Sequence, residues 1–244
     1  MDTALKKSPS YFFIISIIGV LAAFIGFAKT FFLPLSTGNF KAPAAVHIHG
    51  VFAFAWIILF FVQNVCIHQR RYTLHKQLGL AGIGIAAGVF VTLFFVGRYT
   101  VDKQLANGIA PSDYNDLPGV ITGAVLFMVL VGAGIMNRER GPYHKRYLLL
   151  ATIVVLWPAW FRFRHYFPHV PHPEYWFALV LPYSLILIAW IWEYYKYGAI
   201  HPVLRRMGVF IIAEQTLEQL AYDSPSWRSG SKWLYEMLYA AGSG

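Results

Sequence analysis

Six apolar stretches dominate this chain, near residues 11–33, 46–67, 77–98, 117–136, 147–166 and 176–195. Each is about the 20 residues that an α-helix needs to cross the hydrocarbon core of a bilayer. Only 13% of the 244 residues are charged, whereas 57% are hydrophobic and 18% aromatic. That is about half the charge share of an ordinary soluble domain. Backbone polar groups find no water in lipid, so such stretches must satisfy their hydrogen bonds internally as helices. The sequence therefore predicts an all-α fold, a polytopic membrane bundle of six transmembrane helices. The first stretch follows Lys6 and Lys7 but is longer than the apolar region of a secretory signal, and no small-x-small cleavage motif follows it. It reads as a true first helix.

Beyond residue 202 the pattern changes. Over 207–222, Phe210, Ala213, Leu217, Leu220 and Ala221 share one side, and Glu214, Gln215, Glu218 and Gln219 the other. A second segment, Trp227 to Tyr239, mixes Trp227, Trp233 and Leu234 with Arg228 and Lys232. These features suit amphipathic helices at the membrane surface. The expected organisation is thus a bundle over 1–202 and an amphipathic helical tail over 203–244 on the cytoplasmic side.

The net charge of +9 does not call for a nucleic acid, because the basic residues fall where topology puts them. With alternating spans, fourteen of the twenty Lys and Arg lie on one side. Positive charge collects on the cytoplasmic side of bacterial membrane proteins. The expectation is a multipass protein of the bacterial inner membrane, both termini cytoplasmic, with the bilayer and a membrane partner or second copy as neighbours. The long polar connection 99–116 reads as an external hairpin or lid. Gly84 and Gly88, and Gly119 and Gly123, have the spacing of close helix packing. The single cysteine, Cys66, excludes an intrachain disulfide and a thiolate-rich metal cluster.

Nine histidines gather at the ends of the spans and avoid their middles. His49, Trp56 and Gln63 are spaced by seven and share one face of the second helix. His75 opens the third span and His144 the fifth, both at the cytoplasmic end. Arg162 lies eighteen residues beyond His144, five turns along an unbroken helix. At the outer end His47 and His49 enter where His165, His169 and His172 leave. Polar groups inside membranes tend to face the bundle interior and mark function, and imidazole ligates both metals and b-type haem. The candidate cofactor residues are His49, His75, His144 and Arg162, with His47, His49 and His165 as candidate ligands of a divalent metal. His68, His172 and His201 read as surface residues. No Asp or Glu lies in the middle of a span, the nearest being Glu193 at the inner end of the sixth. This speaks against the carboxylate relay of a proton-coupled transporter.

The strings VHIHGVFAFAWIILFFVQ (46–63), RRYTLHKQLGLAG (70–82), HKRYLLLATIVVLWPAWFR (144–162) and HPV (201–203) resemble a bacterial family of multipass membrane proteins without an assigned function. LHKQLG is also similar to the helix starts of cytochrome b561-type haem proteins. That second, weaker resemblance implies haem b at one or both faces, with an inner site from His75 and His144 and an outer site from His49 with His47 or His165. Three function classes stay open. They are a redox or electron-transfer protein, a non-enzymatic accessory or lipid-binding subunit, and a histidine-metal hydrolase or oxygenase.

Overall fold

The computed structural model describes residues 10–239 except 107, 109 and 111. The basic residues Lys6 and Lys7 and the last five residues lie outside that range. Among the described residues eight helical segments follow one another: α1 (Tyr11–Ser36), α2 (Ala44–His68), α3 (Tyr72–Leu105), α4 (Asp116–Met136), α5 (Gly141–His165), α6 (Pro173–Tyr197), α7 (Pro202–Ala221) and α8 (Pro225–Tyr239). The first six are long and apolar enough to cross a membrane, and no strand forms among the described residues. The chain is a multipass membrane helix bundle.

Helix α5 is the most buried of the six and α2 and α3 the least. Leu149, Leu150, Ile153 and Leu156 of α5 pack with Phe127 and Leu130 of α4 and Ile186 of α6 to form the centre. Lipid-facing positions are apolar too, as Leu80 and Val51 show by their exposure. Lipid tails are as apolar as leucine, so burial of apolar area does not drive helices together in a bilayer; fit and small residues do. A Cβ on Gly26 would lie 2.2 Å from the backbone oxygen of Ala159, so α1 crosses α5 nearly backbone to backbone. Gly88 likewise admits the ring of Phe52. Gly84 and Gly123, by contrast, face open space, so only one member of each predicted glycine pair meets a neighbour.

Prolines break the spans that carry them. In α5 the α-helical hydrogen bonding stops at Val155, resumes over Trp157–Phe161 around Pro158 and tightens to a 3₁₀ turn over Arg162–His165. The unbroken stripe expected from His144 to Arg162 is therefore interrupted, because proline has no N–H to give and crowds the preceding turn. In α1 and α6 a π-helical turn precedes Pro34 and Pro182 and absorbs the missing bond.

Two expectations change. The connection 99–116 is not a loop throughout, since α3 continues as helix to Leu105. The tail does not stay at one surface. Helix α7 starts beside Glu193, whose carboxylate accepts the His201 N–H at 2.8 Å. It ends beside the start of α4, where Tyr222 donates to Asp116 at 2.8 Å and Asn115 to Asp223 at 2.6 Å. Twenty residues of helix reach ~30 Å, the thickness of the hydrocarbon core. Helix α7 thus runs the length of the bundle against α5 and α6. Helix α8 then lies at the far end on α4, with Tyr235 donating to Asp102 and Tyr239 to the Phe94 carbonyl. The reason is that the polar side of α7 has partners other than water. Tyr183 of α6 donates to Gln215 at 2.8 Å, and Thr122 of α4 donates to Glu218.

Candidate functional site

The two ends of the bundle carry different polar clusters. At the end where α2 meets α3, the Gln63 amide donates to the His75 carbonyl at 3.1 Å. Across from it, the His75 and His144 rings stand perpendicular with centroids 6.4 Å apart. His144 Nδ1 lies 2.8 Å from the Gly134 carbonyl of α4. A carbonyl only accepts, so Nδ1 carries the hydrogen and the neutral ring keeps a bare Nε2. Histidine ligands are commonly held in this way, oriented by a backbone carbonyl behind them. Two atoms of this cluster, His75 Nδ1 and Gln63 Oε1, are buried without a hydrogen-bond partner.

Next to this pair lies a second cluster that the sequence did not single out as a site. Glu193 is fully buried and accepts from Tyr11 at 2.6 Å and from Arg146 Nε at 2.7 Å, while its other oxygen takes the His201 N–H. His201, expected as a surface loop residue, caps α7 by accepting the Val203 N–H at 3.2 Å and meets the Tyr143 ring edge-on. Burial, then the neighbouring Arg146 charge, hold its imidazole below the ordinary histidine range, which keeps it in the neutral, accepting form. The available signal was the string HPV, since proline at the first helical position often follows a capping residue.

Midway along the bundle, Trp56 donates to Thr152 at 3.2 Å, which in turn donates to the Leu148 carbonyl. The predicted face of α2 is therefore real: His49, Trp56 and Gln63 all turn inward and each bonds a neighbouring helix.

At the opposite end His49 Nδ1 lies 2.9 Å from Thr92 Oγ1. The Thr92 hydroxyl already donates to the Gly88 carbonyl at 2.6 Å, so it accepts from His49 and again leaves Nε2 bare. Arg162 donates to Thr30 at 3.1 Å and to the Pro158 carbonyl at 2.8 Å, and its guanidinium stacks 4.1 Å above Phe27. It forms no ion pair among the described residues.

His47 sits elsewhere, against the rings of Phe31 and Phe40. His165 is exposed, and its carbonyl receives Lys29. His47, His49 and His165 thus do not converge, and no group of three or more metal-ligating side chains forms among the described residues. His68 stacks on Phe13 and, like His169 and His172, is exposed. Of the six candidates, the structure brings together His75 with His144, while His49 and Arg162 each bond other partners at the opposite end. No known protein family, no curated protein and no solved structure matches this chain.

Proposed function

We propose that this membrane bundle is a redox component that holds one haem b between His75 and His144. The observation that carries the reading is the ring pair. If both imidazoles were to hold one metal through nitrogens at distances like the ~2.0–2.1 Å of zinc sites, their ring centroids would lie roughly 6 Å apart. The observed 6.4 Å meets that spacing. The donor set also suits the group, since His144 presents a bare Nε2 and Cys66, buried elsewhere on α2, brings no competing thiolate. A haem would supply reversible one-electron chemistry there. The chain's own part is orientation: the Gly134 carbonyl fixes the His144 ring, and Gln63 anchors the first turn of α3 that bears His75.

The other end offers one imidazole of this kind, His49, and carries the unpaired cation Arg162. The reading therefore assigns one haem rather than two, and gives His49 a proton-accepting nitrogen at the opposite end of the polar face of α2.

An optical spectrum and iron analysis of protein purified in neutral detergent test this. The expected result is a Soret band and stoichiometric iron, both lost in His75→Ala and His144→Ala but retained in His47→Ala and His165→Ala. Protein made with ample iron and haem precursor that shows neither band nor iron ends the reading.

A further inference from the structure

Between the first turns of α5 and α7 and the last turn of α6 lies an open cavity of about 370 Å³. Its lining includes Lys145, Arg146, Glu193, Tyr197 and His201. We propose that this cavity binds a phosphate-bearing anion, supplied by a lipid headgroup or free in solution.

The charges at its floor decide the sign of the ligand. The Glu193 carboxylate is saturated, with Tyr11 and Arg146 on one oxygen and the His201 N–H on the other. Arg146 is spent on Glu193 and on the Pro142 carbonyl. These two opposite charges cancel. Lys145 is left over, with its ammonium 4.8 Å above the Phe12 ring and no ion pair among the described residues. Lys196 adds a further positive charge, its ammonium 5.8 Å from the ring centroid of Tyr197, which lines the cavity. The positive ends of two helix dipoles, α5 and α7, add to the same potential, and the negative end of α6 offsets one of them. A net positive cavity beside a membrane surface selects an anion.

Size and setting point to phosphate. The volume lies within the range of small-molecule sites, roughly 300–1,000 Å³. The cavity opens at the end of the spans, where a bilayer around them would place its phosphates, and the neighbouring turn of α6 leaves Ile191 and Tyr194 exposed. Lysine binds phosphate as a point charge with three donors. This site is separate from the His75–His144 pair, and its test does not depend on bound haem.

Protein in neutral detergent is challenged with phosphatidylglycerol, with phosphatidylcholine and with inorganic phosphate, and binding is read by native mass spectrometry and calorimetry. Retention of phosphatidylglycerol over phosphatidylcholine, weakened about tenfold by Lys145→Met but not by Lys76→Met, supports the site and assigns the lipid source. Saturable binding of inorganic phosphate with the same dependence on Lys145 supports it and assigns the free source. A second readout uses the unmodified chain, in which the bound ligand slows acylation of Lys145 by an amine reagent while Lys76 reacts at an unchanged rate. If neither probe protects Lys145, and Lys145→Met alters binding no more than Lys76→Met does, the proposal is wrong.

Discussion

Arg146 and Glu193 form an ion pair inside the bundle, joined through Nε at 2.7 Å, with Glu193 fully buried and the arginine side chain 7% exposed. The pair ties α5 to α6, and Tyr11 brings α1 to the same carboxylate. Breaking a buried pair by removing one partner strands the other charge, at a cost of about 3–5 kcal/mol. Glu193→Ala should therefore lower stability by about that much, measured by denaturant unfolding in detergent. Joint replacement by apolar residues of similar volume should cost far less. Equal losses in the single and double variants would contradict the assignment.

Close approach at Gly26 makes a second expectation. Gly26→Ala would put its Cβ against the Ala159 carbonyl, which is backbone and cannot swing away. Overpacking of this kind costs about 1–3 kcal/mol. Gly123→Ala meets nothing within 4 Å and should stay within about 0.5 kcal/mol of the parent. Thermal unfolding of the two variants side by side checks the contrast, and a harmless Gly26→Ala would refute the crossing.

Acid should loosen α8. Asp223 accepts two bonds from Arg228 and one from Asn115, and the Arg228 bonds, named first, hold its carboxyl below the ordinary range. When the segment unfolds and both the Arg228 and Asn115 bonds are lost, that carboxyl returns to about 3.9. The contribution to attachment is thus complete above that value and lost as pH falls through the depressed one. Protection of α8 amides, taken relative to their intrinsic exchange rate at each pH, should be high at neutral pH and should fall in strong acid, while in Asp223→Asn it should be low at both. Protection in α8 that does not change with pH would remove this link.

The path of α7 is open to direct labelling. Cysteine placed at Ser229 on α8 and at Arg138 after α4, in a Cys66→Ser background, should react with an impermeant maleimide from opposite faces of sealed vesicles. Labelling of both from one face would show that α7 does not cross.

Hydropathy made the six spans legible because span length is imposed by the solvent, whatever the tertiary packing. The inward face of α2 was legible for a related reason: spacing by seven keeps His49, Trp56 and Gln63 on one stripe. What remained hidden depended on partners. Amphipathicity in α7 does not say whether Gln215 and Glu218 meet water or the hydroxyls of Tyr183 and Thr122, and here they meet the hydroxyls. That difference also carries Arg228 and Lys232 to the end opposite the one where charge counting placed them. Glu193 read as the nearest acid to a span, but its pairing with Arg146 joins residues 47 apart and no local pattern announces it.

The course of α7 also sets an order of construction. This helix carries Arg205, Arg206, Glu214 and Glu218, and is too polar to enter lipid as an independent span. The surface that matches its polar side is shared between α4 and α6, which emerge from the ribosome before it. The partners of its polar side exist only once those helices have folded together, so docking of α7 along the bundle follows their assembly and α8 can reach α4 only after that.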